Sequence, residues 1–340
     1  MSFTEEKRDI IKSYILEKIF RQQKDFVKRT AEAFQISLNT VYRYIRELEN
    51  EKLIEKEEQK TYRLVEKYEM ISLKRSLNEL KEEDTVYDKY IAKFIKELPD
   101  NVQRIWQYSF MEMMNNAIDH SAAENVQILV IQNVLTTTIL IIDDGVGIFK
   151  KIKEHFQFES LDVAVSELFK GKLTTDSNNH SGEGIFFTSR VLDEFAAISD
   201  GKIFAHDKFR ENLLDLNEVE YPNYKTGTTM LMQLSNSSKK ILKEVFNMFS
   251  DENGGFSKTQ IPIKNIFETY PVSRSQAKRL CNRFENFEEI ELDFKGIDEI
   301  GQGFAHEIFV VFQNKNQNVR LIPVNMSKDV EKMIHHVRNN

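Results

Sequence analysis

"FMEMMNNAIDHS", residues 110–121, sets a carboxylate, Glu112, one helical turn before a carboxamide, Asn116, then adds Asp119 and His120. Met113, Met114, Ala117 and Ile118 fill the positions between. Residues four apart on a helix share a face. Glu112 and Asn116 therefore point the same way, and Asp119 and His120 continue that side. A solvated polar face is the ordinary explanation for charge on an amphipathic helix. Asparagine, however, is a weak helix former, and Asn115–Asn116 is a poor choice for solubility alone.

Three further segments bear on this helix. "TTTILIIDDGVGIF", residues 136–149, is a buried-type strand that delivers Asp143 to its end and continues into Gly145 and Gly147. The glycines allow a tight turn and close approach of a flat ligand to the backbone. "FKGKLTTDSNNHSGEGIFFTSRVLDEF", residues 169–195, begins with a polar stretch, Gly171 to Ser181, of lid-like composition. It then opens a helix at Gly182 and Gly184, where free backbone N–H groups favour phosphate. In "YKTGTTMLMQL", residues 224–234, Gly227-Thr228 opens another strand. "VQILVIQ", residues 126–132, is β-branched and apolar, and its short connection to residue 136 predicts an antiparallel pair.

In this order and spacing the four motifs resemble the ATP-binding unit of the GHKL (Bergerat-fold) proteins: gyrase, heat-shock chaperones, histidine kinases and mismatch-repair ATPases. The resemblance covers roughly residues 89–235. It implies ATP and Mg²⁺ as ligands. Glu112 and Asn116 match the family's E-x-x-x-N motif. Asn116 would hold Mg²⁺ through its carboxamide oxygen, a hard-cation ligand, and Glu112 would be the general base toward water. Asp119 matches the acid of the gyrase-type N-A-I-D pattern, whereas His120-Ser121 looks like the sporulation anti-sigma-factor kinases. Asp143 would accept from the adenine amino group beside Gly145 and Gly147. Gly182 and Gly184 would cradle phosphates, Thr228 would support the adenine end, and Lys172 is a candidate γ-phosphate contact.

Residues 1–65 carry a two-helix rhythm. Phe26–Phe34 reads as one helix, and Ser37 can cap a second, with Leu38, Val41, Ile45 and Leu48 toward a core. Asn39, Thr40, Arg43 and Arg46 then face outward, with Tyr42 and Tyr44 at the flanks. "EKEEQKTYRLV", residues 55–65, suggests a two-stranded wing. The unit resembles a winged helix-turn-helix, in which arginine reads guanine edges and Asn39 adenine. Glu55, Glu57 and Glu58 would repel phosphates, so protein docking stands as the alternative to DNA. Residues 66–88 read as a charged helical connector.

Residues 236–340 form a third α/β unit. "IELDFKGIDEIGQGFAHEIFVVFQNKNQNVRLIPVN", residues 290–325, has a strand, a glycine-rich turn, a helix and another strand. It resembles the STAS domains of sulfate transporters and anti-sigma antagonists, a docking fold. The position that carries a phosphorylated serine in the antagonists is Gly301-Gln302-Gly303 here. Ser327 is expected to cap a closing helix. His306-Glu307 reads as structural, His335-His336 as a solvated helix end and Cys281 as a small buried residue.

The expected architecture is thus multidomain α+β: a winged helix, a two-layer α/β sandwich of the Bergerat type, and a STAS-like α/β domain. Composition agrees with a water-facing chain. It is 41% hydrophobic and 30% charged, with net charge −7, one cysteine and no apolar run of membrane length. A charged start, "MSFTEEKRDIIKSY", is unlike a signal peptide. A cytoplasmic protein without membrane contact is expected. An ATP-gated transcriptional or signalling switch with slow hydrolysis is the leading reading. A serine/threonine kinase acting on a partner protein, or a plain ATPase whose winged helix binds protein, are the alternatives. A homodimer is a candidate state, since dimers are common among such proteins.

Overall fold

The computed structural model describes residues 4–57, 61–173, 182–205, 226–267 and 270–339. Glu58 and the stretch 174–181, most of the expected lid, lie outside them. Among the described residues three sheets form, of two, six and three strands.

The first unit packs α1 (Glu5–Phe20), α2 (Phe26–Phe34) and α3 (Leu38–Asn50) around Ile11, Ile15, Val41, Tyr44, Ile45 and Leu48. Ser37 caps α3 by accepting the Thr40 N–H at 3.2 Å. Two expectations need correction. Leu38 is exposed and Tyr44 is fully buried. Leu38 is the first helical residue and precedes the packed turn, so the apolar stripe is 41, 44, 45 and 48. Strands β1 (Ile54–Lys56) and β2 (Tyr62–Leu64) pair antiparallel, Ile54 opposite Leu64.

Only Val65 and Glu66 separate β2 from β3 (Lys67–Lys74), the edge strand of the six-stranded sheet. The expected helical connector at 66–88 is therefore a strand over its first half. Ile71 and Leu73 alternate inward, and pairing with β4 outweighs the helix preference of the Glu, Lys and Met in "KYEMISLK".

The long helix α4 (Asp100–Asn115) follows, then β4 (Asn125–Gln132) and β5 (Thr136–Asp143), antiparallel as expected. Next come α5 (Ile148–Phe156), α6 (Leu161–Leu168), α7 (Gly184–Val191), β6 (Glu194–Ser199), β7 (Lys202–Ala205) and β8 (Thr228–Ser235). The sheet order is β3-β4-β5-β8-β6-β7, antiparallel throughout. Its inner face, with Val126, Ile128, Ile139, Ile141, Met230 and Met232, shares one core with Trp106, Phe110 and Met113 of α4.

After α8 (Leu242–Phe249), β9 (Lys258–Pro262) starts a parallel three-stranded sheet, order β11-β10-β9. Around it run α9 (Arg274–Cys281), β10 (Glu289–Asp293), α10 (Gln302–His306, continued by a wide turn at Glu307–Phe312), β11 (Arg320–Val324) and α11 (Lys328–Arg338). Ser327 caps α11, accepting the Val330 N–H at 3.1 Å. Phe186 and Phe187 of α7 enter this unit's core beside Phe249 and Phe256. The two cores thus meet along α7. Among the described residues no helix is long and apolar enough to cross a membrane.

Candidate functional site

A cavity of about 240 Å³ opens between the inner face of the six-stranded sheet and the helices above it. Ile141 and Met230, register partners on β5 and β8, form part of its floor. Ile148, Ile152, Leu168, Leu173 and Phe186 add apolar walls.

Glu112, Asn116 and His120 line one side at intervals of four. They stay aligned through a change of helix type. α4 packs Val102, Ile105, Trp106, Phe110 and Met113 into the core, and Asn116–His120 then forms a single π turn, a feature often found at functional sites. Arg75 closes the turn, donating from Nη2 to the Ile118 carbonyl at 2.8 Å and from Nε to Ala123 at 2.7 Å. Asp119, expected on the same side, is exposed and does not line the cavity. The wide turn carries position 120, not 119, over Asn116.

Asp143 is buried, on the same face of β5 as Ile139 and Ile141. Its Oδ1 accepts the Gly145 N–H at 2.9 Å. Burial pushes its carboxyl up to about 6, while N–H donors at Gly145 and Thr228 pull it back. Its neighbour is otherwise employed: Asp144 accepts from the backbone and side chain of Asn125 at 2.9 and 2.6 Å. Gly145 lies hard against the Ser121 carbonyl, behind the cavity wall. Gly147, at φ +84°, lines the cavity and starts α5. The Thr228 hydroxyl accepts the Ile148 N–H at 3.1 Å, and Asp200 accepts the Lys150 N–H at 3.0 Å. Two side chains thus cap the helix that leaves the glycine turn.

Gly227 sits at φ +109°, and a Cβ there would collide with the Asp143 carbonyl oxygen. Gly227→Ala is expected to lower stability by about 3 kcal/mol or more, read by urea denaturation. Stability within about 0.5 kcal/mol of the parent would count against this packing of β5 on the Gly227 turn.

Gly182 and Gly184 line the third side. Leu173 donates to the Gly182 carbonyl at 3.3 Å, and Gly184 lies against the Glu112 carboxylate, which a side chain at 184 would displace. Lys172 is not in the cavity. Its ammonium donates to the Asn286 carbonyl at 2.9 Å and lies 4.9 Å from the Phe287 ring centroid, in the C-terminal unit. That surface, 114 residues away in sequence, gives the charge an acceptor and an aromatic face. Sequence reasoning passed over Lys151, which lines the cavity and donates to the His120 carbonyl at 2.7 Å. The available signal was its place one turn after Gly147 on the same helix.

On α3, Asn39, Arg43 and Arg46 are exposed, spaced to share one face. Thr40 is half-buried, its hydroxyl 3.0 Å from Ser37 Oγ. Arg43 stands 3.8 Å from Glu47, and Arg63 engages Glu55 at 2.6 Å and Glu57 at 3.8 Å. Cys281 is buried, its thiol pushed up to about 12 by burial, as suits a packing residue.

No curated protein matches the chain. Residues 276–331 match the family described as the STAS-like domain of unknown function (DUF4325). The match runs from α9 into α11 and takes in β10, α10 and β11. The chain therefore carries a C-terminal STAS-like domain within a mixed α/β protein.

Proposed function

We propose that the cavity binds ATP with Mg²⁺ and that the chain is an ATP-gated regulator, with a winged-helix reader before a Bergerat-type unit and the STAS-like domain as a docking surface behind it. The observation that carries this reading is the convergence of Glu112, Asn116, Asp143, Gly147, Gly182, Gly184 and Thr228, from four separate segments, on one cavity. Asp143 offers a buried acceptor at the apolar end, suited to the adenine amino group. Gly182, just before α7, and Gly184, at its start, leave backbone open toward phosphates. The donor set fits Mg²⁺. Asn116 provides a carboxamide oxygen ligand on the wall where the Glu112 carboxylate stands ready for water, and no group of three acids, histidines or cysteines among the described residues could hold a metal alone. Mg²⁺ usually takes one or two protein oxygens and completes its shell with phosphates and water. Bound there, it would neutralise phosphate charge, while Glu112 orients a water and accepts its proton.

Phosphorylation of its own STAS-like domain at the antagonists' serine position is disfavoured, since Gly301-Gln302-Gly303 offers no hydroxyl there. Gly301, at the head of α10, lies against the Val272 carbonyl with no room for a side chain, so a serine does not fit. The exposed row of Asn39, Arg43 and Arg46 supports a DNA reader. The Arg63 pairs with Glu55 and Glu57 moderate the acidic wing.

The test is calorimetric titration with Mg-ATP beside an ADP-release assay. Asn116→Ala is expected to weaken Mg-dependent binding roughly tenfold or more. Glu112→Ala should keep binding but lose at least about 100-fold of any turnover. A parent protein that binds no adenine nucleotide would overturn the reading. ATP analogues that leave DNA affinity and oligomeric state unchanged would remove the switch.

A further inference from the structure

The near wall of the cavity is held from outside its own unit. Gly171 and Leu173 line the cavity, and the segment that carries them, 167–173, is fastened to the STAS-like domain by a buried polar network. Arg283, just after α9, lies at its centre. Its Nη1 donates to Glu167 Oε2 at 3.1 Å, and its Nη2 donates to the carbonyls of Gly171, at 3.3 Å, and Lys172. Its guanidinium also sits 6.0 Å from the ring centroid of Phe156, at the end of α5. Asn282 donates to Glu167 at 3.2 Å and accepts from the Lys170 ammonium at 2.7 Å. Lys172 reaches the Asn286 carbonyl. Arg190 of α7 ties the same segment to β9, donating to Phe169 O at 3.3 Å and Gln260 O at 2.9 Å.

The geometry is specific in two respects. Arg283 adopts φ +63°, a left-handed conformation that non-glycine residues take at a cost. Its planar fork spans a carboxylate and two consecutive carbonyls, which an ammonium cannot do at once. Gly171 itself sits at φ +80°, and a Cβ there would meet the rings of Phe256 and Phe186.

We infer that the STAS-like domain completes the cavity in cis, with Arg283 as a positioning residue that fixes Gly171–Leu173 and thereby the mouth of the ligand site. The inference rests on reading the cavity as a nucleotide site. It makes the C-terminal domain part of the binding apparatus, and gives whatever docks on that domain a route to the ligand.

The experiment uses the full chain and Arg283→Lys, which keeps a cation beside Glu167 but removes the fork. Arg283→Ala is avoided as the main variant because it would leave Glu167 buried with less compensation. Hydrogen exchange without nucleotide is measured over residues 168–173, in α4, and in the C-terminal sheet. Mg-ATP affinity is measured in parallel, with Asp143→Asn as the control for the nucleotide reading. Exchange over 168–173 should rise roughly tenfold, with α4 and β10 unchanged, and Mg-ATP affinity should fall roughly tenfold. Unchanged exchange at 168–173 overturns the proposal. So does a rise spread over the whole C-terminal domain, which marks plain destabilisation. A local rise with unaltered affinity in a protein that binds Mg-ATP overturns it as well. If the parent binds no nucleotide, the function proposed above fails by itself, and the exchange pattern alone decides whether Arg283 positions the wall.

Discussion

Asp143→Asn is expected to lower Mg-ATP affinity by roughly 100-fold and to remove the fall in stability that the parent shows as pH rises from about 4 to about 6. Both effects come from the one carboxyl group. Asp143 is a buried acceptor that receives the Gly145 N–H, and its carboxyl is pushed up to about 6 by burial. In asparagine, Oδ1 still accepts from Gly145. The new NH₂ group faces the Thr228 N–H or the adenine amino group, donor against donor. A site left with an unmatched buried donor loses about 1–3 kcal/mol. Stability behaves differently. A folded-state value above the ordinary 3.8 means that the folded protein holds its proton more tightly. That contribution is complete below about pH 4 and is lost as pH rises through about 6. At about 1.4 kcal/mol per pH unit the window is worth roughly 2–3 kcal/mol. Asparagine removes the slope, so the variant should gain on the parent between those limits. Urea denaturation at both pH values, beside calorimetric titration, checks the pair. Parent affinity should also fall below pH 6, where the acceptor is protonated. A variant that binds Mg-ATP like the parent would sink Asp143 as the adenine acceptor.

Glu167→Ala is expected to cost about 3–5 kcal/mol of stability. Glu167 is fully buried and pairs with Lys170 at 2.6 Å and Arg283 at 3.1 Å. Lys170 is also buried, and burial pushes its ammonium down from its ordinary value against the pull of Glu167. Removing the carboxylate strands a cation in an apolar setting beside Phe284. Replacing Glu167, Lys170 and Arg283 together with apolar residues should cost less than the single change, because no buried charge is then left without its partner. Urea midpoints of the three proteins test this. A single variant within about 1 kcal/mol of the parent would mean that water reaches the pair.

Much of the architecture is legible locally. β4 and β5 are β-branched runs with a connection too short for anything but a hairpin, and Ser37 and Ser327 announce α3 and α11 by capping chemistry that acts within three residues. Glu112 and Asn116 meet because four residues make a turn. What escaped reading depends on distant partners. β3 is composed like a helix and becomes a strand only against β4. Lys172 turns away because Asn286 and Phe287 stand on a different unit. His120 follows the same four-residue spacing, whereas the π turn that leaves Asp119 outside the cavity has no local signature.

The two-residue passage from β2 to β3 has a mechanical consequence. Val65 and Glu66 span at most about 7 Å of extended chain, and Val65 is itself bonded to the Leu53 carbonyl at 3.0 Å. Leu135, at the β4–β5 hairpin, rests on the core of α1–α3. The N-terminal unit is therefore not a tethered head that samples its own orientations. It is held to the central sheet at two points, the 65–66 link and Leu135. A twist of that sheet would therefore be passed to α3, and to Asn39, Arg43 and Arg46, with little chain in which to be taken up.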